Sequence, residues 1–123
     1  MVTRYLVSVV DDDESVRESL PDLLRSFGFE VQPFASAEDF LASESRALTG
    51  CLVLDVAMPG MTGPELKQEL ARRKQDIPVV FITANSDDKA LTRLLRRDAV
   101  DCLIKPFSET AIVEAVKAAF SAR

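Results

Sequence analysis

Aspartates cluster directly after two apolar runs of this sequence. Asp11, Asp12 and Asp13 follow the run that ends at Val10, and Asp55 follows another run further along the chain. Carboxylates brought close together repel one another, and a hard divalent cation relieves that repulsion by binding their oxygens. The pattern indicates a cation site assembled from segments that are distant in sequence.

A hydroxyl and an amine follow two further apolar runs, at Thr83 and Lys105. Phosphoryl transfer to a carboxylate depends mainly on positioning and on neutralising charge, which these groups could supply. Asp55 is the preferred acceptor because it stands alone at the end of its run, before the turn Met58-Pro59-Gly60. For Asp13 a turn residue or helix cap is the simpler interpretation.

Several other chemistries are excluded by composition. The sequence contains no histidine, and its two cysteines, Cys51 and Cys102, have no CxxC spacing. A Ser-His-Asp triad, a histidine general base and a Cys/His zinc site are therefore absent. Oxygen ligands without nitrogen or sulfur favour Mg²⁺ over zinc or copper. We expect both cysteines to be small buried side chains in a reducing compartment.

Apolar runs that predict strands alternate with helical patterns along the whole chain. The predicted strands are Tyr5–Val10, Glu30–Pro33, Cys51–Asp55, Pro78–Ile82 and Asp101–Ile104. Predicted helices start at or after Glu14, Ser36, Thr62, Ser86 and Ser108, and Pro21 is expected to kink the first of them. Strict alternation predicts an α/β, doubly wound fold with a parallel sheet between two helical layers. Ligands bind such sheets beyond the carboxyl ends of the strands, where the candidate residues lie.

Length and charge fit one domain over residues 1–123. Hydrophobic residues make up 47% of the sequence and charged residues 28%, which excludes intrinsic disorder. No apolar run approaches the ~20 residues of a membrane span, and no signal peptide is visible, so we expect a cytoplasmic protein. Residues 1–66 carry four basic and twelve acidic side chains, and residues 67–123 carry eleven and eight. This imbalance favours a cation site in the first half and a partner surface in the second.

Four motifs together resemble the receiver domain of bacterial two-component response regulators. They are Val10-Asp11-Asp12, the segment from Leu54 to Gly63, Ile82-Thr83-Ala84 and Lys105-Pro106-Phe107. Ser36-Ala37-Glu38 and Phe81-Ile82-Thr83-Ala84 are most similar to receivers of the FixJ group. The resemblance implies a (βα)5 flavodoxin-like fold with strand order 2-1-3-4-5.

The resemblance also implies a ligand set for Mg²⁺ and a phosphate acceptor. Asp55 would accept phosphate from a histidine kinase. Asp12, Asp55 and the backbone carbonyl of Ala57 would hold Mg²⁺, and Asp11 would assist through water. The domain would catalyse only its own phosphorylation and dephosphorylation, so it is not expected to be an enzyme acting on other substrates.

The same resemblance implies how the phosphoryl group would be sensed. Lys105 would pair with a phosphoryl oxygen, and Thr83 would move toward it, shifting the domain between two populated states. The Lys105–Pro106 peptide bond is commonly cis in this family. The family usually carries an aromatic switch residue where this chain has Cys102, so the usual coupling to Thr83 is in question. Asp98 stands where the family favours glycine, and aspartate tolerates the left-handed conformation better than most residues.

A basic trio, Arg93, Arg96 and Arg97, lies near the end of the fourth predicted helix. It is either a solvated helix end that complements the helix dipole, or part of a contact surface for a homodimer or an output partner. That surface would comprise the fourth helix, the fifth strand and the fifth helix. No aromatic residues interleave with the trio, so direct nucleic-acid contact is not expected, and neither is membrane binding.

Three alternatives remain beside a phosphorylated receiver. A degenerate receiver would keep the fold but only bind proteins. An aspartyl phosphatase generally has a second acid two residues after its nucleophile, where this chain has Ala57. A flavodoxin-like FMN protein needs a hydroxyl- and glycine-rich phosphate loop, where this chain has acids. The output is open: a free-standing receiver is possible, and the amino-terminal part of a FixJ-like transcription regulator is favoured.

Overall fold

A computed structural model describes residues 4–84 and 89–121 and contains five strands and five helices in alternation. The strands are β1 (Leu6–Val10), β2 (Glu30–Phe34), β3 (Thr49–Asp55), β4 (Val79–Thr83) and β5 (Asp101–Ile104). The helices are α1 (Glu14–Ser26), α2 (Ala37–Ala42), α3 (Gly63–Arg72), α4 (Lys89–Asp98) and α5 (Glu109–Ser121). In the described ranges, none of the helices has the length and apolar character needed to cross a membrane.

The strands form one parallel sheet in the order β2-β1-β3-β4-β5, which confirms the predicted doubly wound fold. Chain order reverses at β1 and β3, which lie side by side. Val10 at the end of β1 pairs with Leu54 of β3, and Leu54 pairs with Phe81 of β4. The residues that follow Val10 and Leu54 are therefore neighbours at one edge of the sheet.

Two apolar cores, one on each face of the sheet, hold the helices in place. Side chains alternate between the faces along β3: Cys51 and Val53 pack with α1 and α5, whereas Leu52 and Leu54 pack with α2, α3 and α4. Every residue of β1, β3 and β4 is buried, as expected for strands covered on both sides. The cysteines Cys51 and Cys102 are free and buried, as the sequence predicted. They lie in opposite cores.

Capping side chains begin the helices where the sequence indicated. The Asp13 carboxylate accepts a hydrogen bond from the backbone N–H of Ser15 and begins α1. Thr62 and Glu65 form a reciprocal capping box at the start of α3. The predicted start of the fourth helix at Ser86 lies outside the described residues. Helix α1 continues through Pro21, which is buried.

Sequence boundaries differ from the structure at several strand ends. β3 begins at Thr49 rather than Cys51, because Thr49 pairs with Leu6 of β1. A 3₁₀ turn over Glu44–Leu48, which the sequence did not indicate, leads into this strand. The left-handed conformation considered for Asp98 is not found: Asp98 ends α4, and the positive φ at a non-glycine residue, 60°, belongs to Lys74.

Candidate phosphoacceptor and metal site

Three carboxylates meet at the carboxyl edge of the sheet. Asp11 follows β1, Asp12 comes next, and Asp55 ends β3. One oxygen from each lies within 4.8 Å of the other two, and we call these residues the acidic cluster. Asp11 is 0% and Asp55 5% exposed, whereas Asp12 is open to solvent. The donor set consists of carboxylate oxygens alone, which fits Mg²⁺ and does not fit zinc or copper.

Lys105 brings positive charge to the acidic cluster. Its Nζ donates a hydrogen bond to Asp11 Oδ2 at 3.0 Å and lies 3.8 Å from Asp55 Oδ1. The lysine is held at the edge because its backbone N–H donates to the carbonyl of Thr83 at 2.8 Å. The Lys105–Pro106 peptide bond is cis, as the family resemblance implied. Lys105 therefore pairs with Asp11 and lies near Asp55, and it compensates only part of the negative charge of the acidic cluster.

The pKa values in this site reflect burial and crowding. Burial, followed by the charge of Asp11, raises the pKa of Asp55 to about 7 against the opposing effect of Lys105. Burial alone would lower the pKa of Lys105, but its hydrogen bond to Asp11 and the charge of Asp55 raise that pKa above its usual value. A cation bound at this site would favour the deprotonated form of Asp55 and so lower its pKa.

The carboxylate and the backbone carbonyl of Asp11 both accept hydrogen bonds from the region where α1 begins. The Asp11 carboxylate accepts a hydrogen bond from the backbone N–H of Asp13 at 2.9 Å, and Arg17 Nη1 donates to the Asp11 carbonyl at 3.0 Å. Asp13 itself is the cap of α1, and its hydrogen bonds from Ser15 lower its pKa. The interpretation of Asp13 as a cap is confirmed. Sequence reasoning missed Arg17, which had no signal beyond its position one turn into the helix.

The loop that follows Asp55 stays close to the acidic cluster. The N–H of Val56 donates to the carbonyl of Ile82 at 3.0 Å, and the N–H of Gly63 donates to the carbonyl of Val56 at 3.1 Å. A Cβ at Gly63 would lie 2.3 Å from the Asp55 carbonyl oxygen, so only glycine allows this approach. Ala57, the predicted carbonyl ligand, is exposed in this loop.

The remaining predicted residues lie on the β4–β5 side of the sheet. Thr83 ends β4 beside the cluster and is 4% exposed. Cys102, which is 0% exposed, packs in the core that faces α2, α3 and α4, and burial raises the pKa of its thiol. The two residues lie on neighbouring strands, two register positions apart: Cys102 pairs with Phe81, and Thr83 pairs with Ile104.

The three arginines of α4 differ in their roles. Arg96 Nη2 donates to the Cys102 carbonyl at 2.9 Å, and Arg96 Nε lies 3.3 Å from Asp101 Oδ1. Asp101 Oδ1 also accepts a hydrogen bond from the Cys102 N–H. All three arginines are exposed, but Arg96 also ties α4 to the edge strand β5. The arginines thus divide between a structural contact and an open surface.

Residues 7–117 match the family described as the response regulator receiver domain. The chain is 45% identical over 117 residues to nodulation protein W of Bradyrhizobium diazoefficiens, covering 95% of this chain and 52% of that protein. It is 42% identical over 118 residues to the transcriptional regulatory protein FixJ of Rhizobium meliloti, covering 96% of this chain and 58% of that protein. The chain therefore spans just over half the length of these relatives.

A solved structure has the same architecture. The crystal structure of FixJ-N is 40% identical, with a TM-score of 0.86, and the match covers 97% of this chain and 95% of that one. The family match extends over most of the chain, and the fold agrees strand by strand with the order predicted from the resemblance. This chain belongs to the receiver domains of response regulators, which are phosphorylation-activated signalling domains with an acidic Mg²⁺ pocket and are not conventional enzymes.

Proposed function

We propose that residues 1–123 form one receiver domain in which Asp55 accepts a phosphoryl group from a histidine kinase. The observation that carries this proposal is the meeting of Asp11, Asp12, Asp55 and Lys105 at one edge of the sheet. Asp55 is the acceptor because it ends the central strand β3 and lies within the reach of Lys105. A carboxylate oxygen of Asp55 forms the new bond to phosphorus, and the bond from phosphorus to the histidine nitrogen breaks.

Mg²⁺ fits the acidic cluster and would be held by Asp12, Asp55 and the carbonyl of Ala57, with Asp11 contributing through water. When bound, it supplies positive charge to the oxygens of the transferring phosphoryl group. Burial and the charge of Asp11 raise the pKa of Asp55. The part due to Asp11 supports this assignment, because a divalent cation would offset the repulsion between the carboxylates.

Lys105 and Thr83 would respond to the new charge. Lys105 Nζ lies 3.8 Å from Asp55 Oδ1, so a small movement would bring it onto a phosphoryl oxygen. The Thr83 hydroxyl, one strand away from Asp55, would donate a hydrogen bond to another oxygen. A phosphoryl group adds a charge of about −1.5 to −2 and three strong acceptors, which is enough to favour a second arrangement of these side chains.

The switched surface would comprise α4, β5 and α5. Arg93 and Arg97 are exposed there and could meet a second copy of the domain or an output partner, while Cys102 lies behind that surface. Since relatives include a protein named as a transcriptional regulator, we propose a transcriptional output domain outside the sequence described. The receiver itself would contact neither nucleic acid nor membrane, and its only catalysis would be its own phosphorylation and dephosphorylation.

Intact-mass spectrometry tests the proposal. Incubation with acetyl phosphate and Mg²⁺ should add the mass of one phosphate, and EDTA should prevent the addition. Asp55→Asn should lose the addition, whereas Asp39→Asn, which changes an exposed acid in α2, should keep it. A full mass gain in Asp55→Asn would show that another residue is the acceptor. No gain in the wild-type chain would favour a degenerate receiver that only binds proteins.

A further inference from the structure

The loop between β3 and α3 contains Ala57, whose carbonyl is a proposed Mg²⁺ ligand. The loop must keep a fixed conformation for this carbonyl to bind the ion. Backbone hydrogen bonds hold its two ends, at Val56 and at Gly63. Within the loop, Met58 is buried in the core that faces α2, α3 and α4. Between Met58 and α3 the chain must still be held in place, and this is where α2 reaches the loop.

Glu38, in the first turn of α2, makes that contact. Its Oε2 accepts a hydrogen bond from the backbone N–H of Met61 at 3.1 Å, although the two residues are 23 positions apart. A charged acceptor makes such a bond stronger than one between neutral groups. Among the described residues Glu38 forms no ion pair with a lysine or arginine. Its carboxylate binds the loop backbone instead.

Gly60 provides the space that this carboxylate occupies. A Cβ at Gly60 would lie 2.8 Å from Glu38 Oε2, closer than carbon and oxygen normally approach. The φ of Gly60 is 73°, which also favours glycine. The glycine and the glutamate therefore fit each other: the turn at Gly60 presents the N–H of Met61, and the absence of a side chain lets the carboxylate reach it.

We propose that Glu38 is a positioning residue for the Mg²⁺ site, acting through the loop that contains Ala57. This inference rests on the proposed function, since it concerns the affinity of the same site. Glu38 lies in α2, whereas the acidic cluster is built from the segments around β1 and β3, so it would not touch the ion. Its effect is to hold Gly60 and Met61, and through them the Ala57 carbonyl, in the orientation that a ligand must have. Side chains that hydrogen-bond a metal ligand directly typically change metal affinity about 10- to 100-fold, and Glu38, which acts through the loop, is expected at the lower end of that range.

The contact itself can be observed in the metal-free protein by ¹⁵N–¹H NMR. Hydrogen exchange at the Met61 amide should accelerate in Glu38→Ala, because the acceptor is gone. Glu38→Gln, which retains one acceptor oxygen, should restore much of the protection. Asp39→Ala is the matched control, since Asp39 is the neighbouring exposed acid in the same helical turn, and it should leave the Met61 amide unchanged.

The effect on the site is measured as the Kd for Mg²⁺ by calorimetric titration of the same variants. Glu38→Ala should raise that Kd about tenfold, Glu38→Gln should lie nearer to wild type, and Asp39→Ala should stay within about twofold. A merely stabilising contact would lower the melting temperature in EDTA without changing the Kd.

Three results would overturn the inference, and they are distinguishable. An unchanged rate of hydrogen exchange at the Met61 amide in Glu38→Ala would show that Glu38 does not hold this N–H. Equal Kd values for Mg²⁺ in Glu38→Ala and Asp39→Ala would show that Glu38 does not affect Mg²⁺ binding. The proposed function would not be affected by that result. Absence of Mg²⁺ binding by the wild-type chain would refute the proposed function together with this inference.

Discussion

Lys105 and Asp11 form an ion pair across the carboxyl edge of the sheet, with Nζ 3.0 Å from Oδ2, although the two residues are 94 positions apart in sequence. The lysine lies closer to this wholly buried acid than to Asp55, at 3.8 Å. In the metal-free protein Lys105 therefore compensates the charge of Asp11 first. This arrangement keeps the amine beside Asp55 while leaving the Asp55 carboxyl only partly compensated.

Replacing Lys105 by methionine is expected to destabilise the metal-free protein by about 2 kcal/mol. Methionine keeps an apolar stem but leaves the buried Asp11 carboxylate without its cation, and loss of one partner from a fully buried pair costs about 3–5 kcal/mol. We expect the smaller loss of about 2 kcal/mol because the Lys105 side chain is 22% exposed, so water already screens part of this interaction. Urea unfolding in EDTA measures the change. Lys117→Met, at an exposed position of α5, is the control, and an equal loss in both variants would contradict the role of this pair.

The stability of the metal-free protein should decline with rising pH because of Asp55. Its pKa is about 7 in the folded protein against 3.8 ordinarily, so the folded state retains a proton that the unfolded state has released. This stabilisation is complete below pH 3.8 and is lost as the pH rises through about 7. Asp55→Asn removes the titration, so its stability relative to wild type should increase between about pH 4 and about pH 7. Denaturant unfolding in EDTA measures this difference, and a constant difference would refute the raised pKa.

Mg²⁺ should stabilise the folded chain. At a concentration ten times its Kd, a ligand bound only by the folded state adds about 1.4 kcal/mol to the free energy of unfolding. Asp12→Ala should remove this increment because it deletes a carboxylate of the acidic cluster, whereas Asp39→Ala should retain it. Thermal unfolding in MgCl₂ and in NaCl of equal ionic strength tests the expectation. If Asp12→Ala were stabilised by Mg²⁺ as much as the wild-type chain, the ion would bind at a site other than the acidic cluster.

Arg96 and Arg97 are adjacent, yet their removal should have different effects. Arg96→Ala deletes the bond to the Cys102 carbonyl and the ion pair with Asp101, so the free energy of unfolding should fall by about 1 kcal/mol. Arg97 is exposed and makes no such contact in the described chain, so Arg97→Ala should change stability by less than about 0.5 kcal/mol. Urea unfolding of both variants measures the difference. Equal changes would mean that Arg96 does not tie α4 to β5.

The sequence by itself determined the fold and the composition of the site. Buried strands read as unbroken apolar runs, and caps such as Asp13 and Thr62 act on backbone groups only a few residues away, so both are visible locally. The carboxyl ends of parallel strands meet at one edge of a sheet, so the sequence alone predicts that Asp11, Asp55 and Lys105 lie together. Boundaries such as Thr49 were missed because strand pairing, rather than local preference, extends β3.

Only the tertiary structure decided which partner each of these groups has. The preference of Lys105 for Asp11 over Asp55, and the raised pKa of Asp55, follow from burial and from distances of a few ångströms between remote segments. The contact of Glu38 with the Met61 N–H likewise depends on how α2 packs beside the loop after β3. Side-chain spacing along the chain encodes which element a residue occupies. Packing between elements sets the direction in which a long charged side chain extends. It also sets which charged group that side chain contacts.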